Sequence, residues 1–149
     1  MTQREILTKK IVNSVWSNDI IFCELPTGYG KSFISIKIQA ELTKNEPQYY
    51  TNGEMSRSLD TVYPKTLILV AEKAHIVNWM MEYKKHNYSA VAQNTTIKCY
   101  ASIHKLKDTQ WDMIIADEAH HLSLLRLSHL STIKFNKMIL LSATLKKSV

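Results

Sequence analysis

Hydrophobic positions along the chain follow two spacings. Ile6, Leu7, Ile11, Val15 and Trp16 recur every three to four residues, which predicts an amphipathic helix over residues 3–17. Asp19 to Leu25 (DIIFCEL) is instead an almost continuous apolar run, the pattern of a strand buried on both faces of a parallel sheet. Lys31 to Lys44 returns to helical spacing. Asn45 to Pro64 is weak in apolar residues and holds Pro, Gly, Asn, Ser and Asp, which predicts a long surface loop. Thr66 to Ala71 (TLILVA) is a second buried strand, and Lys73 to Asn87 a helix with Ile76, Trp79, Met80 and Tyr83 on one face. Thr96 to Tyr100 is a shorter strand, with a brief helix over Ile103 to Leu106. Asp112 to Ala116 (DMIIA) and Met138 to Leu141 (MILL) are two further buried strands, with a helix between them. Strands alternating with helices predict β-α-β crossovers, a mostly parallel sheet and helices on both faces: an α/β fold. In such sheets ligands sit at the carboxyl ends of the strands.

Length and composition narrow this little further. At 149 residues the chain makes one domain over 1–149 that needs no disulfide or metal staple. With 45% hydrophobic and 21% charged residues it is neither disordered nor low-complexity. No apolar run approaches the ~18 residues that span a bilayer, and Met1-Thr2-Gln3-Arg4-Glu5 does not open an apolar signal core. Two cysteines, Cys23 and Cys99, are too few for a disulfide framework. A reducing, cytoplasmic setting is expected, nucleoid or nucleus included, with no membrane partner. The net charge is +6, and residues 76–149, with ten Lys/Arg against five Asp/Glu, carry most of it. A basic half suits an anionic partner such as nucleic acid, or serves only as a solvated face.

Two segments carry chemistry. The first strand leads into Leu25-Pro26-Thr27-Gly28-Tyr29-Gly30-Lys31-Ser32, whose Gly30-Lys31-Ser32 closes a phosphate-binding loop of the Walker A kind. Glycines let successive N–H groups turn inward at a helix N-terminus, Lys31 reaches the β- and γ-phosphates, and the Ser32 hydroxyl binds Mg²⁺. Leu25 stands where the first glycine of such loops usually lies. The second segment, 86 residues beyond Lys31, is Asp117-Glu118-Ala119-His120-His121 at the end of a buried strand. There Asp117 suits a Mg²⁺ shell, and Glu118 suits orienting or deprotonating an attacking water. The order D-E-A-H-H is not the H-E-x-x-H of a zinc protease, and the six histidines and two cysteines show no metal-ligand spacing.

These residues resemble the first RecA-like domain, a P-loop NTPase fold, of superfamily 2 helicases and translocases. Thr27-Gly28-Tyr29-Gly30-Lys31-Ser32 is similar to that family's motif I, Asp117-Glu118-Ala119-His120 to the DEAH form of motif II, and Ser142-Ala143-Thr144 to motif III. Leu67 to Ala71 resembles motif Ia, and Gln3, 28 residues before Lys31, the adenine-reading glutamine. His75 to Trp79 and Tyr100 to Ile103 look more like Swi/Snf-type translocases and restriction-enzyme motors than DEAD-box RNA helicases, so the resemblance favours DNA over RNA. It implies ATP and Mg²⁺ as cofactors, Thr27 to Ser32 and Gln3 as the ATP contacts, and Lys31 and Glu118 as catalytic. It further implies coupling through His120, Ser142 and Thr144, and nucleic-acid contacts from Lys73 and Ser102.

In that family ATP is hydrolysed between two RecA-like domains, the second bringing an arginine finger. No second domain is read in this sequence, and Arg4, Arg57 and Arg126 sit in no matching context. The expectation is half a motor with weak turnover, partnered by a second RecA-like domain or helicase subunit. The alternatives are a non-catalytic nucleotide- or DNA-binding module that docks on a fuller helicase, and another P-loop enzyme such as a small kinase. Trp79 and Trp111 are expected in the core rather than stacked on bases. His121 and the pairs Lys84/Lys85, Lys105/Lys107 and Lys146/Lys147 are expected to be solvated.

Overall fold

Strand β4 (Thr66–Val70) is buried at every position, as its unbroken apolar run requires. In the computed structural model it lies inside a five-stranded sheet with β1 (Ile20–Leu25), β5 (Thr95–Cys99), β6 (Gln110–Ala116) and β7 (Lys134–Ala143). The order is β1-β7-β6-β4-β5 and every pairing is parallel. The structure describes residues 6, 10, 19–25, 30–42, 44–47 and 59–143; Ile6 and Lys10 are helical, and the rest of the expected first helix lies outside them.

Helices cover both faces. On one, α1 (Lys31–Glu41), α2 (Lys73–Lys85) and α3 (Ser89–Ala92) seal a core in which Ile34, Ile36 and Ile38 meet Ile68, Val70, Ile115 and Ile139. On the other, a 3₁₀ helix (Tyr100–Leu106) and α4 (Leu124–Leu130) cover Leu67, Leu69, Ile114 and Ala116. Neighbouring residues of β4 thus go to opposite cores, the two-residue alternation of a strand. A buried polar chain ties the first face together. The Tyr83 hydroxyl donates to Gln39 Oε1, and Gln39 Nε2 donates to Thr95 Oγ1 at 3.1 Å, linking α2, α1 and β5.

Three expectations need correction. Strand β1 is not buried on both faces: Ile20 is 57% and Phe22 60% exposed, because β1 is the sheet's edge and no described element lies over that side. Met80 is exposed rather than on the packed face, since Trp79 and Tyr83 point at the sheet and the next residue lies about 100° further round the helix. The expected loop 45–64 contains an antiparallel pair, β2 (Lys44–Pro47) with β3 (Leu59–Val62), apart from the main sheet. Trp79 and Trp111 are core residues, as expected.

Burial pushes the Cys23 thiol up to about 11 and the Tyr83 phenol up to about 12. It raises Tyr100 further still, helped by the negative charge of Asp117 and opposed by Arg126. The folded chain therefore retains protons that the unfolded chain releases at lower pH. Stability from these groups should be intact below about pH 9 and fall as pH rises through about 12. Urea titrations at pH 8, 10 and 11 should show a falling midpoint, and Tyr83→Phe should flatten that fall.

Candidate functional site

The α1 helix begins at Gly30, whose φ of 71° and ψ of 57° lie in the left-handed region where a Cβ is unfavourable. The first hydrogen bond of the helix runs from Ile34 N to Gly30 O at 3.0 Å. Among the described residues no side chain caps this end, and its first turn holds no acid, so its N–H groups and Lys31 make an electropositive corner. Thr27, Gly28, Tyr29, Gln3 and Thr144 lie outside the described residues.

Opposite stands the end of β6, where Asp117 is fixed by three hydrogen bonds. Its backbone N–H donates to Leu69 O at 2.9 Å, its carbonyl accepts from the Tyr100 hydroxyl at 2.6 Å, and its Oδ2 accepts from the Trp79 indole at 3.1 Å. A carboxylate offers about four acceptor positions, so the Trp79 bond orients it without exhausting it. The next residue, Glu118, adopts φ 48° and ψ 58°, a left-handed turn uncommon outside glycine. This turns the chain into a 3₁₀ helix (Ala119–His121), secured by His121 N to Glu118 O at 2.9 Å.

A cleft of about 520 Å³ joins the two corners, lined by Gly30, Lys31, Ser32, Asp117 and Glu118, and on the α2 side by His75, Asn78 and Glu82 with Trp79 and Met81. That volume falls within the range of small-ligand sites. Among the described residues His75 keeps Nδ1 buried without a hydrogen-bond partner, which costs about 1–3 kcal/mol unless something in the cleft satisfies it. The α2 lining was not foreseen, although the polar residues His75, Asn78 and Glu82 recur at i, i+3 and i+7, a stripe on one helical face.

Other expected residues are placed differently. Ser142 is buried in β7 opposite Glu24 of β1, and its hydroxyl donates to Ala143 O at 3.2 Å. His120 is exposed and outside the cleft lining. His121, expected merely to be solvated, holds Nε2 3.4 Å from Glu118 Oε2. Lys73 is exposed at the start of α2 and Ser102 half-buried in the 3₁₀ helix after β5, so both follow neighbouring strands at the carboxyl edge.

No family model matches the chain, and no curated relative matches its sequence. Solved structures do. The Sulfolobus solfataricus SWI2/SNF2 ATPase core, solved in complex with dsDNA, superposes with a TM-score of 0.65 and 16% identity over 93% of this chain and 31% of that one. A nuclease-deletion mutant of the Type ISP restriction-modification enzyme LlaGI, solved with a DNA substrate mimic, gives 0.65 and 16% over 100% of this chain and 18% of that one. The shared fold is the RecA-like α/β arrangement, a five-stranded parallel sheet with helices on both faces. The chain thus spans about a third of the first structure and less than a fifth of the second. No helix among the described residues is long and apolar enough to cross a membrane.

In this RecA-like domain the clamp on Asp117 has a measurable share in stability. Tyr100→Phe removes one hydroxyl and should cost about 0.5–1.5 kcal/mol, and Trp79→Phe, which removes a bond to a carboxylate, about 1.5–3 kcal/mol. Urea denaturation followed by circular dichroism measures both.

Proposed function

We propose that the chain is the ATP-binding half of a superfamily 2 DNA motor. The supporting observation is the convergence in one cleft of Lys31 and Ser32 with Asp117 and Glu118, 86 residues apart in sequence. The residues fit the ligand on chemical grounds. An uncapped helix end with no acid, beside Lys31, suits phosphates. A hydroxyl and a carboxylate are the hard oxygen donors that magnesium takes.

In this reading the α1 N–H groups and Lys31 bind the β- and γ-phosphates, with Thr27, Gly28, Tyr29 and Gly30 shaping the cradle and Gln3 reading adenine. Ser32 and Asp117 hold the metal, which when bound supplies charge neutralisation between the phosphates. Trp79 orients the Asp117 carboxylate. Glu118 orients the attacking water and takes its proton, and His120, Ser142 and Thr144 pass the nucleotide state onward. The described cleft lining contains no arginine. A finger from a second RecA-like domain is worth roughly 10³–10⁵ in turnover, so this chain alone hydrolyses ATP slowly. Lys73 and Ser102 contact the DNA backbone, as phosphate contacts that position without reading sequence.

Calorimetry with a Mg²⁺-bound, non-hydrolysable ATP analogue tests the reading. Binding should be lost in Lys31→Ala, while Glu118→Gln should bind as well as wild type and lose what turnover there is. Normal affinity in Lys31→Ala would overturn the assignment. For DNA, Lys73→Ala should weaken binding alike across sequences and reduce the salt slope by about 1. The lack of arginine also favours a second reading, a nucleotide- or DNA-binding module that docks on a fuller helicase without turnover. Robust hydrolysis by the isolated chain, abolished in Glu118→Gln, excludes it.

A further inference from the structure

The spacing of histidines and cysteines along the chain suggests no metal ligands, yet folding brings three candidate ligand groups together beside the cleft. Nitrogen or oxygen atoms of Glu118, His120 and His121 all lie within 4.8 Å of one another. The two imidazole rings have centroids 4.4 Å apart. We propose that Glu118, His120 and His121 form a site for a borderline divalent transition ion, zinc foremost.

The argument rests on distance and ligand type. Zinc binds imidazole nitrogen and carboxylate oxygen at about 2.0–2.2 Å, so two ligand atoms at adjacent corners of a tetrahedron lie about 3.3–3.6 Å apart. His121 Nε2 and Glu118 Oε2 stand at 3.4 Å. The third ligand, His120, is exposed and keeps a ring nitrogen within 4.8 Å of the other two ligand atoms. Two imidazoles with one carboxylate suit zinc and its first-row neighbours, whereas magnesium and calcium prefer all-oxygen shells. The same residues therefore discriminate against the ion assigned to Ser32 and Asp117.

The backbone of the site is held in place. The left-handed turn at Glu118 and the bond from His121 N to Glu118 O bring the first and last ligands to one side. Arg126 Nη1 donates to His121 O at 3.1 Å, and Arg126 N is itself bound to Ser123 Oγ at the start of α4. All three side chains are at least partly exposed, so an ion enters without unfolding and one coordination position remains open to water. A Glu118 that ligates zinc cannot orient water over a phosphate. On the proposed function, zinc would thus act as a reversible brake at the hydrolytic residue.

Calorimetric titration of the whole chain with zinc chloride in magnesium-containing buffer tests the site, with cobalt absorption in the visible reporting the ligands. One equivalent should bind with micromolar affinity. His120→Ala, His121→Ala and Glu118→Gln should each weaken it by about tenfold or more. His104→Ala, which disrupts the other histidine pair, at 6.0 Å, should bind zinc as wild type does. No zinc binding, binding that survives both His120→Ala and His121→Ala, or loss in His104→Ala would overturn the proposal. Because His120 and His121 are exposed, the substitutions should leave the thermal melt unchanged, which a circular-dichroism control verifies. Lys31→Ala should keep its zinc, so a failure of the nucleotide assignment and a failure of this site read out separately.

Discussion

Three hydrogen bonds to a single residue, Asp117, organise this end of the molecule. They join it to β4 through Leu69, to the 3₁₀ helix through Tyr100 and to α2 through Trp79, one strand and two helices. Tyr100 and Trp79 are both buried, so their polar atoms would otherwise lack water, and satisfying them requires the end of β6 to lie where it does. The left-handed turn at Glu118 can follow only because Asp117 is pinned. The positions of Glu118, of the short 3₁₀ helix and of α4 all descend from that clamp.

The core divides by strand parity into two compartments with different duties. One, sealed by α1 and α2, shares its helices with the cleft. The Phe33 and His86 rings meet at a tilt, centroids 4.5 Å apart, across those helices, and His86 also bonds Glu82 of the cleft lining at 3.1 Å. The other, under Tyr100, Ile103 and Leu130, supports the Asp117 end from beneath. Each wall of the cleft is thus the outer surface of a packed core, and movement of either wall would disturb buried apolar contacts.

Much of this could be read from residue order. Strand β4 and the inner parts of β6 (Met113–Ala116) and β7 (Met138–Leu141) are apolar runs, and continuity of that kind is dictated by burial on both faces. Gly30-Lys31-Ser32 and Asp117-Glu118 announce themselves because few chemistries need those groups just after strands. What could not be read is what depends on packing across the chain. Trp79 is apolar by type, so nothing local says that its N–H finds Asp117, 38 residues away. Ile20 to Leu25 looks fully buried because a strand's own residues do not say that it will be the sheet's edge. His121 looks like a solvated residue until the αL turn at Glu118 brings its ring to 3.4 Å from that carboxylate. The β2–β3 pair escaped notice because polar, turn-forming residues surround it.

The sheet order also has a consequence in time. Among the described residues β1 pairs with β7 alone, Ile20 opposite Met138, 118 residues further along the chain. A ribosome adding roughly 5–20 residues per second needs about 6–24 s to make that partner. Until then the strand that leads toward Gly30 and Lys31 lacks its described pairing partner, while β4, β5 and β6 can already associate. Closing the sheet and completing the cleft are therefore one late event. A chain interrupted before β7 would hold the Asp117 wall of the cleft without an anchored Lys31 wall, and would leave the apolar run Ile20 to Cys23 open to any other unpaired strand.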